Sequence, residues 1–174
     1  MMSLVMSPSV DLLVIGGGIV GAGVARDGAL RGLSTVLVDR NDFAAGTSSN
    51  SSRLLHGGIR YLAQGRLGLV YEASREKLCL QRIAPHLVEP LAFVFPAGRS
   101  AGYAKWKLSL GVKLYDLLCH GRNFGASQIL SVEALARRVP GLQTEGLGGA
   151  ARYFDALTQD ARLVIDTLRS AEAA

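Results

Sequence analysis

The sequence predicts an α/β fold that opens with a parallel βαβ unit, and three observations indicate it. Residues 10–15 form a short apolar run with β-branched side chains, which is typical of a buried parallel strand. A glycine-rich turn follows, and residues 21–32 suit a helix. Residues 34–39 then read as a second strand. This order of elements is the Rossmann-like pattern.

The glycines between the first strand and the helix have the spacing of a dinucleotide-binding turn. Gly16 permits a tight turn, Gly18 lets a pyrophosphate approach the backbone, and Gly21 lets the helix pack closely. Asp39 ends the second strand, where a carboxylate accepts hydrogen bonds from a ribose. A tight turn in some other α/β protein would explain the glycines but not Asp39. The sequence therefore predicts a dinucleotide site.

Composition limits the class of protein. The chain has 174 residues, 49% of them hydrophobic and 19% charged, as in a globular protein of about one domain. Its net charge of +5 suits an anionic small molecule or an anionic membrane surface, and no basic run with interleaved aromatic residues indicates nucleic acid. Neither a redox motif nor metal-ligand spacing is found among Cys79, Cys119, His56, His86 and His120.

The two ends of the chain lead to further expectations. The start lacks the basic region of a secretory signal, and no apolar run is long enough for a membrane span. Residues 158–174 suit a helix, with Thr158 as its N-cap and Asp160 in its first turn. Because this helix has no cap or closing strand after it, we expect an N-terminal piece of a longer protein.

The middle of the chain alternates between loops, helices and strands. The polar run at residues 46–52 is either a flexible linker or a segment that binds a phosphate or a cofactor ring. Residues 66–84 have helical periodicity, with charged residues that include Lys77 between the apolar ones. A strand at 91–95 is expected to stop at Pro96. Residues 120–128 read as a loop.

The remaining elements are a helix, a short helix and a strand. Residues 103–119 form an amphipathic helix whose start carries Trp106 between lysines. It is either an interfacial membrane helix or a helix that faces the core. Ser131 is expected to cap a short helix that ends at Val139, and residues 150–154 read as a strand.

Three blocks of the sequence resemble the FAD-dependent glycerol-3-phosphate dehydrogenases. The first is IGGGIVGAGVARDGALRG at residues 15–32, and the second is TSSNSSRLLHGGIRYL at residues 47–62. The third is Asp155 followed by the DARL block that begins at Asp160. The second block is more similar to the aerobic, quinone-linked branch than to the anaerobic branch.

The resemblance implies a domain organisation. The fold is an incomplete FAD-binding domain like those of glutathione reductase and D-amino-acid oxidase, followed by the start of an α+β substrate domain. We expect the FAD-binding part at 8–85, the start of the substrate or cap region at 86–157 and a truncated helix of the FAD domain at 158–174. The family has a much longer chain, so later parts of its active site are absent.

The resemblance also implies a cofactor and a reaction. The cofactor is FAD, a choice that the glycine spacing alone leaves open. The reaction is oxidation of sn-glycerol 3-phosphate to dihydroxyacetone phosphate by hydride transfer to flavin N5, with a membrane quinone as electron acceptor. The residues implied in cofactor binding are Gly16, Gly18, Gly21, Asp39, Arg40, Thr47, Ser48, Ser52, Arg53, Gly57 and Gly58.

Three side chains are candidates for catalysis. Arg60 can bind the substrate phosphate or the alcohol oxygen, or it can be a surface arginine. Tyr61 either hydrogen-bonds the substrate or packs under the flavin. His56 either polarises the alcohol or takes its proton, or else it orients the glycine loop beside it or hydrogen-bonds the cofactor. Arg53 either hydrogen-bonds the cofactor region or is an ordinary surface arginine.

Other functions stay open at this stage. A related FAD-dependent amine or glycerophosphate oxidase would differ in substrate and would form peroxide. An inactive truncated fragment would bind FAD poorly. We expect a cytoplasmic protein with peripheral contact to the inner face of the cell membrane and no nucleic-acid partner. The sequence leaves the oligomeric state open, with a homodimer as one option.

Overall fold

The computed structural model describes residues 9–98, 105–119 and 123–174, so His120 lies outside the described residues. In chain order the elements are β1 (Leu12–Ile15), α1 (Ile19–Leu30), β2 (Thr35–Val38), β3 (Leu54–Leu55), α2 (Leu67–Ile83), β4 (Glu89–Gly98), α3 (Lys105–Leu118), β5 (Gln128–Leu130), α4 (Val132–Arg138), β6 (Leu147–Leu157) and α5 (Asp160–Glu172). Two 3₁₀ helices lie at Ile59–Gln64 and Pro85–Leu87.

The chain forms two compact units. The first contains the residues up to Arg53 together with those from Gln159 onward, and the second contains residues 54–158. These units are defined by geometry, and the domain limits expected from the sequence at residues 85 and 157 stay a prediction.

The first unit contains the predicted βαβ unit, whose order and parallel pairing are confirmed. The expectation that its first strand is buried is wrong for this chain, because only Val14 of β1 is buried and Ile15 is exposed. Strand β1 pairs in parallel with β2, from Leu12 opposite Thr35 to Ile15 opposite Val38. Helix α1 packs close to both strands at Gly28, where a Cβ atom would lie 2.6 Å from Leu12 Cδ2 and 3.0 Å from Thr35 Oγ1. A side chain at position 28 would force Leu12 and Thr35 to shift, so glycine suits this close approach.

Helix α5 belongs to the same unit, although it begins far later in the sequence. Its Val164 is buried in one apolar cluster with Ala22 of α1 and Ala44. Arg26 Nε donates a hydrogen bond to Ser170 Oγ at 2.8 Å, which joins the two helices again near the end of α5. The buried apolar cluster and this side-chain hydrogen bond therefore hold α5 against α1.

The second unit is built on an antiparallel sheet with β6 at its centre. Strand β4 pairs along almost the whole of β6, while β3 and β5 pair with separate parts of β6. Neighbouring residues of β6 point to opposite faces. Ala151 packs with Val70 of α2 and Tyr115 of α3, whereas Ala150 packs with Leu135 of α4. The sheet therefore has helices on both faces.

Two strand predictions are corrected by this sheet. Strand β4 does not stop at Pro96 but includes both Pro90 and Pro96. Among the described residues β4 pairs with β6 alone, and an edge strand tolerates a residue without an N–H group. The loop expected at 120–128 ends in β5, which has three residues and is too short for a periodic signal.

The helix caps agree with the sequence in one case and not in the other. Ser131 is the N-cap of α4, as predicted, and its Oγ accepts a hydrogen bond from Ala134 N at 3.2 Å. Thr158 is not the N-cap of α5, which is Gln159. Thr158 directly follows the end of β6. Its side chain is buried, and its Oγ1 has no hydrogen-bond partner in the described part of the chain, so it does not cap the helix.

Candidate cofactor site

The glycine turn ends β1 and begins α1. Gly16 has φ +111°, in the region that favours glycine, and its N–H donates to Val38 O of β2 at 2.8 Å. A Cβ atom on Gly21 would overlap the Gly16 carbonyl oxygen. The sequence assigned these two glycines to a tight turn and to close helix packing. The structure confirms both assignments as backbone geometry.

Asp39 fixes the glycine turn to the end of β2. Its Oδ2 accepts a hydrogen bond from Gly17 N at 2.7 Å, and its Oδ1 accepts one from Asn41 N at 2.8 Å. These two amides, Asn41 first and Gly17 second, hold the pKa of the Asp39 carboxyl below its usual value. The carboxylate therefore orders the turn, and it keeps free lone pairs for a ribose hydroxyl.

Ser48 lies at the N-terminus of α1. Its Oγ accepts a hydrogen bond from Ile19 N at 3.2 Å, and Ala44 N donates to Gly17 O at 2.9 Å. The first bond of the helical ladder runs from Ala22 N to Gly18 O at 2.9 Å. The N–H groups of the first turn therefore have no acceptor within the helix, and they lie at the helix end that favours anions.

These residues fit a dinucleotide. Within the chain, a Cβ atom on Gly18 would meet only Ser48 Oγ within 4 Å, at the ordinary contact distance of 3.5 Å. Glycine at this position is therefore not required by internal packing, and its missing side chain leaves backbone accessible beside the helix N-terminus. A pyrophosphate needs that kind of access.

The other residues predicted in this unit lie at its surface. Arg40, Thr47, Ser52 and Arg53 are all exposed, and the described structure shows no hydrogen bond from them to the glycine turn. Arg53 has φ +57°, and its N–H donates to Ser51 Oγ at 3.0 Å. The polar run is therefore not a uniform linker. Part of it is ordered by contacts within the unit, and the cofactor roles of these four residues stay predictions.

The second unit contains the five remaining candidates. His56 and Arg60 are exposed, whereas Gly57 and Gly58 are buried. Gly58 has φ +72° and is the N-cap of the 3₁₀ helix, so the chain turns sharply before it presents Arg60. Tyr61 is half-buried and its ring packs against the apolar cluster around Tyr115. The choice between a hydrogen bond to the substrate and packing under the flavin stays a prediction.

A buried polar network, which the sequence did not predict, lies beneath Gly57. Lys77 Nζ contacts Asp155 Oδ1 at 2.8 Å, and both side chains are 2% exposed. Tyr115 OH donates to the same Asp155 oxygen at 2.6 Å. Gly57 N donates to Asp155 Oδ1 at 3.2 Å and to Tyr115 OH at 3.1 Å. The helical pattern grouped Lys77 with the charged residues between the apolar ones, but in the structure its side chain shares the buried face of α2 with Val70 and Ser74.

The hydroxyl group of Tyr115 and the thiol of the neighbouring Cys119 are both held in their neutral forms. Burial, and then the neighbouring Asp155, raises the pKa of Tyr115 far above its usual value. Burial also raises the pKa of Cys119, which contacts Ser74 Oγ at 3.2 Å. Cys119 therefore packs in the core and is not activated as a nucleophile.

Comparison with known proteins identifies the class to which this arrangement belongs. The model of the family "FAD dependent oxidoreductase" matches residues 11–174. The chain belongs to this family of oxidoreductases. The predicted fold class and the choice of FAD as cofactor are confirmed, and the glycine turn with Asp39 is the part of the described site that fits FAD.

Several relatives are more specific than the family. The chain is 43% identical to a glycerol-3-phosphate dehydrogenase of Synechocystis sp. over 98% of its length, and 44% identical to one of Mycobacterium leprae over 92%. It is also 43% identical to an alpha-glycerophosphate oxidase of Streptococcus pyogenes over 92%. The chain covers 31%, 28% and 27% of these relatives, so it spans less than a third of their length. The resemblance noted from the three sequence blocks is confirmed.

Solved structures agree with this assignment. The glycerol-3-phosphate dehydrogenase of Bacillus halodurans complexed with FAD matches 96% of this chain with a TM-score of 0.67 and 31% identity, over 25% of that chain. The L-alpha-glycerophosphate oxidase of Mycoplasma pneumoniae with FAD bound matches with a TM-score of 0.69 at 17% identity, over 43% of that chain, which shows the fold alone.

Proposed function

We propose that this chain supplies FAD-binding and substrate-binding residues of an enzyme that oxidises sn-glycerol 3-phosphate to dihydroxyacetone phosphate. One observation carries the proposal. The relatives that match 92–98% of the chain at 43–44% identity are named for glycerol 3-phosphate or glycerophosphate, whether they are dehydrogenases or oxidases. The shared substrate is therefore better supported than the electron acceptor.

Arg60 is the proposed phosphate ligand. It is exposed on the 3₁₀ helix Ile59–Gln64, directly after the turn at Gly58. The substrate is an anion, and a guanidinium fork binds phosphate oxygens through two parallel hydrogen bonds. When bound, FAD supplies the acceptor for the two electrons of the substrate C–H bond. The role of Arg60 is to bind and orient the substrate for that step.

His56 and Tyr61 lie close to Arg60 in sequence and have secondary roles. His56 is exposed beside the buried Gly57, a position that suits a hydrogen bond to the cofactor or uptake of the alcohol proton. The ring of Tyr61 packs on the core of its unit, while its hydroxyl is the group proposed to hydrogen-bond the substrate.

The proposed electron acceptor is a quinone, although oxygen is the competing choice. Identity to the dehydrogenase and to the oxidase relatives is 43% in both cases, so it does not separate the two. The block at residues 47–62 resembles the quinone-linked branch, and this resemblance is the basis of the choice. Reduction of a soluble quinone analogue without peroxide would support it, whereas stoichiometric peroxide in air would identify an oxidase.

Peripheral membrane contact is proposed for α3. Trp106, Leu110 and Leu117 are 65%, 63% and 71% exposed, and their spacing places them on one side of the helix. This side is not the one that faces the core, which contains Val112 and Tyr115. An exposed apolar stripe on a basic protein suits an anionic lipid surface. No helix in the described part of the chain is long and apolar enough to span a membrane.

The substrate role of Arg60 has a direct test. In the longest natural chain that contains these residues, Arg60→Ala should raise KM for glycerol 3-phosphate about a hundredfold, because a charge-assisted bidentate contact is lost. Initial rates measure this change. Arg75→Ala is the matched control, since Arg75 is an exposed arginine of the same unit. Equal kinetics in both variants would exclude Arg60 as the phosphate ligand.

A further inference from the structure

The buried network beneath Gly57 joins three elements of the second unit at one point. Lys77 comes from α2, Tyr115 from α3 and Asp155 from β6. Lys77 Nζ has three donors, and they meet Asp155 Oδ1 at 2.8 Å, Asn123 Oδ1 at 3.0 Å and Tyr115 OH at 3.3 Å. Every donor of the ammonium group is therefore used inside the protein.

The stability of the fold does not by itself explain this network. Desolvation of two charges offsets most of their attraction, and well-packed apolar residues of similar volume are often as stabilising. The network holds two hydrogen-bond acceptors in fixed positions beside the Gly57 amide. Asp155 Oδ1 and Tyr115 OH both accept the N–H of Gly57, and the raised pKa of Tyr115 keeps its hydroxyl protonated so that it also donates to Asp155.

Gly57 fits this acceptor pair closely. A Cβ atom at this position would overlap Tyr115 OH and would lie 2.8 Å from Ser74 Oγ. The next residue, Gly58, has φ +72°, and Gly58 O accepts the N–H of Tyr61 at 2.8 Å. The direction in which the chain leaves Gly57 therefore determines where the 3₁₀ helix begins and where Arg60 is presented.

We propose that Lys77, Asp155 and Tyr115 form a positioning cluster that anchors the Gly57 amide and thereby sets the position of Arg60 toward its substrate. The anchoring part depends only on the contacts of the second unit. The consequence for catalysis rests on the proposed function of Arg60.

A pair of double variants separates the anchor from the charges. Lys77→Met with Asp155→Asn removes both charges but keeps a side-chain oxygen beside Gly57. Lys77→Met with Asp155→Leu removes the charges and that acceptor together. Both pairs avoid a lone buried charge, which would itself strongly destabilise the fold. Tyr115→Phe is an additional mild variant, because it removes one acceptor of the Gly57 amide and leaves the ion pair in place.

Hydrogen exchange of the peptide that covers residues 56–62 is the first readout, measured in the longest natural chain that contains this sequence. Loss of the acceptor should accelerate exchange about tenfold in the Asp155→Leu pair, and Tyr115→Phe should accelerate it less. The Asp155→Asn pair should exchange as the wild type does. Equal exchange in all variants, Tyr115→Phe included, would overturn the proposal.

The second readout is KM and kcat for glycerol 3-phosphate. A displaced Arg60 should raise KM about tenfold to a hundredfold in the Asp155→Leu pair, and the effect should vanish when Arg60 is already alanine. An equal further loss in the Arg60→Ala background would contradict positioning through Arg60. Faster exchange in the Asp155→Leu pair, combined with a wild-type protein that does not oxidise glycerol 3-phosphate, would leave the anchor intact and would refute the proposed function instead.

Discussion

Gly21 shows how a single missing side chain determines whether the cofactor turn forms. A Cβ atom on Gly21 would overlap the Gly16 carbonyl oxygen, which is a backbone atom and not the end of a flexible side chain. A Cβ atom on Gly23, two residues further along α1, would meet no described atom outside its own helix backbone within 4 Å. The two glycines therefore lie in the same helix, but only Gly21 has a neighbour that a side chain would overlap.

We expect Gly21→Ala to weaken FAD binding at least about tenfold and to lower stability by roughly 1–3 kcal/mol, because the turn must open to admit the methyl group. Flavin fluorescence titration and thermal unfolding measure the two effects. Gly23→Ala is the control and should leave binding unchanged while it slightly favours the helix. Similar losses of FAD binding and stability in both variants would contradict this explanation. The need for glycine would then come from helix flexibility and not from the close contact with Gly16.

The lowered pKa of Asp39 predicts how the stability of the fold changes with pH. Its amide partners lower the pKa of the native carboxyl, so the native state releases this proton more readily than the unfolded chain. The stability it contributes is therefore complete above the ordinary pKa and is lost as the pH falls through the lower native value. Between about pH 5 and about pH 2, Asp39→Asn should lose less stability than the wild type does. Parallel melting curves across this range for the two proteins would contradict the assignment.

At the scale of elements, the parts predicted from sequence are those whose causes are local. The βαβ unit depends on an apolar run, three glycines and an acidic residue within one stretch, so its pattern is visible along the chain. Ser131 likewise caps a helix that begins with the next residue. In both cases the residues that make the contact are close in sequence.

The parts that sequence reasoning missed depend on distant partners. The helical pattern gives Lys77 only as one of the charged residues between apolar ones, and its partner Asp155 lies 78 positions further along the chain. The only local signal is its spacing from Val70 and Ser74, which puts it on the buried face of α2. Pro96 is similar, because whether it ends a strand depends on how many neighbours that strand has.

Helix α3 tests the membrane proposal. Vesicles that contain anionic lipid should co-sediment the protein, and binding should weaken when Trp106, Leu110 and Leu117 are all replaced by serine. The matched control replaces three exposed apolar residues of α2, namely Leu67, Leu69 and Ile83. Added salt should reduce binding, because the basic residues contribute electrostatically. Equal binding of the two triple variants would exclude α3 as the contact.

At the scale of the whole molecule, the two compact units divide the candidate residues between them. The glycine turn, Asp39 and Ser48 belong to the first unit, whereas Gly57, Arg60 and the network around Asp155 belong to the second. The family assignment covers residues of both units. The residues whose geometry fits FAD therefore belong to the first unit, whereas the second unit contains Arg60, whose contact with the substrate is a proposal.

The most direct test of the account is an anaerobic absorption spectrum of the longest natural chain that contains these residues, purified with its flavin. Addition of glycerol 3-phosphate should bleach the visible flavin band, and glycerol, which lacks the phosphate that Arg60 is proposed to bind, should not. Dithionite serves as the control that the flavin is reducible. A bound flavin that dithionite reduces and glycerol 3-phosphate leaves oxidised would contradict the proposed substrate, while the assignment to FAD would stand.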